Sequence, residues 1–131
     1  MKLLVGYDGS NAALAAIELA IRHAKAFRAE KVYLVRSMEG GQHVTRKEFE
    51  IAEHELGRVN RAFADESIPS ETRLLVRGCR PGEDLVQFAD DNGVDEILIG
   101  VRRRSKVGKL VFGSTAQYVI LNATCPVTSV K

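Results

Sequence analysis

Five short apolar runs alternate with stretches of helical period, and this alternation most constrains what the chain can become. "KLLVGY" (2–7) ends in "DGS", a turn and helix-start signal, and from Ser10 onward Leu14, Ile17, Ile21, Ala24 and Phe27 recur at helical spacing. "KVYLV" (31–35) is β-branched and aromatic, as a strand requires, and the "MEGGQ" connection follows. Phe49, Ala52, Leu56, Val59 and Phe63 then mark one face of a second helix, interrupted only by Gly57. "TRLLV" (72–76) reads as a third strand, and Pro81 suits the first position of a third helix with inner face Leu85, Phe88 and Ala89. "DNG" (91–93) stops that helix, with its glycine as the cap. "EILIG" (96–100) reads as a strand covered on both faces, Gly113–Asn122 as a last helix and "PVTSV" (126–130) as a final strand.

The resulting order, β-α-β-α-β-α-β-α-β, predicts an α/β fold: a parallel sheet with helices on both faces. Right-handed crossovers restrict it to doubly wound arrangements. Such sheets take ligands beyond the carboxyl ends of their strands, where strand order reverses. The lip of that crevice falls at Gly6–Ser10, Arg36–Ser37, Gly78 and Gly100. At 131 residues the chain reads as a single domain, 1–131, with a core large enough to need no metal or disulfide staple. Cys79 and Cys125 form no CxxC pair and read as two buried thiols in a reducing compartment. No apolar run reaches a membrane span and "MKLLVGYDGS" lacks a signal-peptide pattern, so a cytoplasmic protein is expected.

Charge is local. The net charge is only +2, yet "GVRRRSKVGKLVFGSTAQYVI" (100–120) carries Arg102, Arg103, Arg104, Lys106 and Lys109 with no acidic residue. The Walker A pattern is absent there: Arg103 stands in place of its first glycine and Leu110 in place of its hydroxyl residue. What remains is "GST" (113–115), where Gly113 allows close backbone approach and Ser114 and Thr115 stand to cap the N–H groups of the last helix, an anion site. The bland alternative is a plain helix start. His23, His43 and His54 have no ligand spacing, no metal site is expected, and no catalytic triad or dyad is legible. Aromatic residues make up only 6% of the chain, which argues against a nucleic-acid surface built on stacking.

"LLVGYDGS", the spacing of Gly100, Gly113 and Ser114, and the closing "YVILNATCPV" together resemble the universal stress protein family from end to end. The resemblance implies five parallel strands in the order 3-2-1-4-5 and an adenine nucleotide as ligand: ATP first, or ADP or AMP, with or without Mg²⁺. It places Asp8 near the ribose, the backbone around Ser37 at the adenine, Gly100 under the ribose-phosphate, and Gly113, Ser114 and Thr115 at the phosphates. The second glycine of the family's nucleotide pattern falls on Arg103. Aimed inward, that side chain obstructs the site; aimed outward, it reaches a phosphate oxygen. The resemblance further implies a homodimer paired through strand 126–130 and a sensor or regulatory role without catalysis, slow ATP hydrolysis aside. Two alternatives stand beside it: a relative without nucleotide working through protein contacts, and a nucleic-acid-associated protein using the 102–109 loop.

Overall fold

The computed structural model describes residues 1–101 and 112–131; the basic loop, with Arg103, lies outside the described residues. The elements run β1 (Lys2–Gly6), α1 (Asn11–Phe27), β2 (Lys31–Ser37), a short 3₁₀ turn (Gly41–His43), α2 (Arg46–Asp65), β3 (Ser70–Leu75), α3 (Pro81–Asp91), β4 (Glu96–Gly100), α4 (Ser114–Asn122) and β5 (Val127–Val130). All strand pairs are parallel, and the order is β3-β2-β1-β4-β5. The doubly wound sheet read from the sequence is therefore the observed one. β3 starts two residues earlier than the "TRLLV" run, at Ser70.

Strand alternation distributes the core to the two faces. Leu3, Val5 and Tyr7 join Val32, Leu34 and Leu98 beneath α1 and α2. Leu4 joins Tyr33, Val35, Ile97 and Ile99 beneath α3 and α4. Leu3, Leu4 and Val5 are completely buried, as a central strand covered on both sides must be.

Helix α1 departs from its sequence reading. Its buried side is largely alanine (Ala13, Ala16, Ala20 and Ala24, with Ile17), while Leu14 and Phe27, read as inner-face residues, are 41% and 56% exposed. The reason lies at the end of β4. A Cβ on Gly100 would stand 2.5 Å from the carbonyl carbon of Ala12 and 2.7 Å from the nitrogen of Ala13. The helix backbone rests almost on the strand, leaving no room for large side chains between them, so the bulky residues flank the contact. Neither thiol is fully buried: Cys79 and Cys125 are both half-buried and unpaired.

The buried acidic side chains are partnered, whereas the buried Asn60 Oδ1 has no hydrogen-bond partner among the described residues. Glu96, read as part of an apolar strand, is buried and bridges α1 to the edge strand, with His23 Nδ1 at 2.9 Å and Thr128 Oγ1 donating at 2.7 Å. Thr45 and Glu48 close a capping box at the start of α2. Among the described residues no helix is long and apolar enough to cross a membrane.

Gly100→Ala places a methyl group against backbone, which cannot swing aside as a side-chain tip would. Overpacking of this kind costs ~1–3 kcal/mol. Urea unfolding is expected to show at least that loss; an unchanged midpoint would mean that α1 does not rest on Gly100.

Candidate functional site

Strand order reverses between β1 and β4, and a cleft of about 430 Å³ opens at their carboxyl ends. This volume falls within the ~300–1,000 Å³ usual for small-molecule sites. Its floor comes from Gly6, Tyr7, Ile99 and Gly100, and one wall from Val35, Arg36 and Ser37. Pro81 and Leu85 of α3 form another side, and Phe112 to Ala116 complete it. Gly6 keeps the floor low, since a Cβ there would lie 3.0 Å from Leu85 Cδ1.

Six of the seven sequence-predicted site residues line this one cleft: Asp8, Ser37, Gly100, Gly113, Ser114 and Thr115. Arg103 lies outside the described residues. Of the predicted lip, Gly9, Ser10 and Gly78 are not among the lining residues. Several local readings change. Ser10, within the "DGS" helix-start signal, caps α1, its hydroxyl accepting from Ala13 N–H at 3.1 Å. Asp8 Oδ1 accepts from Ser10 N–H at 2.9 Å, which fixes the turn and keeps the carboxylate at the exposed lip. Ser114 and Thr115 do not cap α4. Gly113 is the N-cap, with φ 81° and ψ 155° and no side-chain cap bond. Within the described residues nothing lies within 4 Å of a Cβ placed on Gly113, so positive φ, not a close approach, is what selects glycine. The first-turn N–H groups of a helix have no acceptor within it, and here the cap residue has no side chain to supply one.

Two polar networks flank the cleft, and neither was read from the sequence. On the α2 side the Tyr7 hydroxyl donates to Glu55 Oε1 at 2.9 Å, while Arg36 Nη1 meets Glu55 Oε2 at 3.3 Å. On the α3 side the Ser37 hydroxyl donates to Asp84 Oδ2 at 2.6 Å, and Arg77 Nε donates to Asp84 Oδ1 at 2.8 Å. Asp84 is buried in the first turn of α3. The sequence marks neither acid: Glu55 is one of five acidic residues on α2 and Asp84 one of four on α3. Asp8 is the one acidic residue among the described lining residues. Among the described residues no group of three or more His, Cys, Asp or Glu side chains is placed to hold a metal ion.

A doubly wound parallel sheet with a cleft at its switch point, floored by glycines and bounded by a glycine-capped helix, belongs to the class of α/β architectures that take ligands at the carboxyl ends of their strands. The sequence model of the universal stress protein family matches residues 1–131. A universal stress protein of Thermus aquaticus is 33% identical over 135 residues, covering 98% of this chain and 97% of that protein. A solved universal stress protein from Archaeoglobus fulgidus superposes with TM-score 0.90 at 36% identity, over 100% of this chain and 98% of its own. Another structure of the universal stress protein from that organism, in complex with dAMP, gives TM-score 0.85 at 32% identity over the same shares. The chain belongs to the universal stress protein family.

Burial first, and then the hydrogen bond to Glu55, hold the Tyr7 phenol above its ordinary value of 10.0. The folded chain therefore keeps this proton more tightly than the unfolded chain. The stability it contributes is full below pH ~10 and falls as pH rises through the folded value. Phenolate absorbance should show a late-titrating component among the three tyrosines. Tyr7→Phe should remove it; persistence of the late component in that variant would assign it elsewhere.

Proposed function

We propose that this chain is a cytoplasmic stress-response protein whose single unit, 1–131, binds an adenine nucleotide in the β1–β4 cleft and acts as a sensor or regulatory module. One observation carries the reading: the cleft joins the switch point of the sheet to a helix N-terminus whose cap is a glycine without a side-chain bond. A phosphate favours such an end, through both the N–H groups and the helix dipole. The dAMP complex of the Archaeoglobus fulgidus relative supports the same ligand class.

In this reading Asp8 contacts the ribose, the backbone at Ser37 meets the adenine and Gly100 underlies the ribose-phosphate. Gly113, Ser114 and Thr115 hold the phosphates, and Arg103 reaches the outer ones. The preferred ligand is ATP, with ADP or AMP next, and with Mg²⁺ arriving on the phosphates, not on a protein cage. A dipole contact is worth only ~0.3–1 kcal/mol at an exposed site, whereas a micromolar ligand needs ~8 kcal/mol. Most of the affinity must then come from the base and sugar contacts of the floor and walls. We propose binding without turnover, because Asp8 is the sole acid among the described lining residues and no acid–base pair converges there.

Small molecules released from denatured purified protein should include an adenine nucleotide, and calorimetry should give a micromolar constant for ATP. Gly113→Val forces a β-branched residue to φ 81° and swings bulk toward the phosphates, so binding should weaken at least tenfold. Ser114→Ala should lose only the ~0.5–1.5 kcal/mol of one hydrogen bond. Equal ATP affinity in the wild type and Gly113→Val would put the ligand elsewhere. Absence of any nucleotide affinity would favour a family member acting through protein contacts alone, the reading to which Arg103 in place of a glycine lends weight.

We further propose a homodimer paired through β5. That strand is one of the two edges of the sheet. The carbonyls of Pro126 and Val130 accept from Ile97 and Val101 N–H, so strand alternation turns the Ser129 N–H outward. Ile120 and the 72%-exposed Leu121 on α4 add apolar surface just before this edge. Ser129→Pro removes the outward donor and blocks pairing while sparing the ladder to β4. Light scattering should show a dimer for wild type and a monomer for Ser129→Pro; a wild-type monomer at micromolar concentration would remove the claim.

A further inference from the structure

We propose that the outer face of α2 is a self-complementary docking surface, on which a second copy of this chain lies antiparallel to the first. No α2 residue lines the β1–β4 cleft, so this surface is independent of the nucleotide reading. Helix α2 packs on β2 and β3, at the end of the sheet opposite β5. β3 itself is a poor edge for strand pairing, since Glu71 and Arg73 place charges along it. At this end of the molecule the helix is what a partner meets.

The charges along the exposed stripe of α2 form a palindrome of opposite signs. Arg46, Glu50, Glu53, Arg58, Arg61 and Asp65 are all exposed. Set two copies antiparallel about a two-fold axis midway between Glu55 and Leu56. Arg46 then comes level with Asp65 of the second copy, Glu50 with its Arg61 and Glu53 with its Arg58. Each of these pairs is of opposite sign, and the axis repeats it; Lys47 falls level with the uncharged Ala64. Other arrangements lose the match. Sliding by one turn sets Glu50 against Asp65 in one direction and Arg46 against Arg61 in the other, while a parallel pair sets every charge against its own kind. Little within the chain competes for these groups. Among the described residues Glu53, Arg58, Arg61 and Asp65 form no ion pair, and Arg46 meets Glu50 at 3.1 Å in an exposed contact of a kind that contributes little. At the midpoint His54 comes level with Gly57, and nothing lies within 4 Å of a Cβ placed on that glycine. The depression on α2 is lined there by Glu53, His54, Gly57 and Arg58, so the imidazole of one copy has room over the backbone of the other. A strip ~30 Å long and ~10 Å wide falls well short of the ~800 Å² per partner of a stable interface. The association is therefore weak, and charge sets its register and orientation.

Sedimentation of the full chain at about 100 µM, a concentration suited to a transient interface, tests this in two salts. The mean mass in about 0.01 M salt, where screening sets in only beyond ~30 Å, should rise toward twice its value in about 1 M salt, where it sets in at ~3 Å. The ratio is the same whether the associating unit is a single chain or a pair already joined through β5. Glu53→Arg and Arg58→Glu each place like charges together at the centre, and each should hold the low-salt mass near the high-salt value. Both positions are exposed, so thermal melting should stay near wild type. An equimolar mixture of the two variants restores the opposite-sign pairs, and so does the double variant Glu53→Arg/Arg58→Glu, which keeps the wild-type net charge. Both should regain the low-salt mass. A wild-type mass independent of salt, association that survives either single reversal, or a double variant that does not recover it would overturn the inference. If a single variant does not fold, the wild-type salt response and the double variant decide.

Discussion

The burial of β1 on both faces is the constraint from which the rest of the molecule follows. A central strand with Leu3, Leu4 and Val5 all fully buried needs helices above and below it. Right-handed crossovers supply them only if the chain moves first one way along the sheet and then the other. The connections through α1 and α2 build outward to β3, and α3 returns across the opposite face to start β4. The segment leaving β1 therefore turns toward one face and that leaving β4 toward the other. Their divergence opens the cleft. No residue has to be spent on hollowing it out; glycines at positions 6 and 100 only keep its floor clear and let α1 and α3 close in from either side.

What the topology leaves unfixed, the two flanking networks supply. The strand ends at a switch point have lost their ladder partners and would be free to splay. Tyr7 and Arg36 are tied to Glu55 on α2, while Ser37 is tied to Asp84 on α3. Each network reaches from a strand end to the helix covering one face, so the walls are fixed relative to both layers. The buried Asp84 carboxylate is tolerable there only because each oxygen is partnered; removing one partner would leave the other unsatisfied at ~1–3 kcal/mol or more. The same satisfied geometry makes a wall chemically directional, because a proton already committed on one side is unavailable on the other.

Much of this was legible in the residues, and the failures share a cause. The order of elements was readable because each strand is an apolar run bounded by glycine or a turn, and each helix has its own period. Six predicted site residues converge because doubly wound topology brings the ends of β1, β2 and β4 together wherever they lie in the sequence. Leu14 and Phe27 misled because period alone identifies a stripe, not the distance to what it faces. Only the contact between Gly100 and Ala12 shows that the stripe has to be alanine. Glu96 and Asp84 were missed for a parallel reason: a buried acid announces itself through its partners, and His23, Thr128, Ser37 and Arg77 are remote in sequence or lie on other elements. The capping role given to Ser114 and Thr115 failed by one position, since glycine at positive φ serves as cap without contributing a side chain.

Charge and geometry divide the work at the phosphate end. Gly100 and Gly113 both line the cleft, and the sequence between them carries five cations. Coulombic attraction at this range depends on distance and ionic strength more than on the path of the loop, and at physiological salt it reaches ~8 Å. Under the proposed reading it raises the local concentration of a polyanion and speeds encounter. Coulombic attraction alone does not orient that polyanion, since it depends on distance and not on angle. Orientation is the task of a rigid element, and among the described residues the start of α4 supplies one at that end, with its N–H groups fixed along the helix axis. Under the proposed reading, a cation-rich stretch joined to the cleft at both ends favours ligands with more phosphates, whose attraction grows with charge, over monophosphates, whose affinity rests on the base and sugar contacts of the walls.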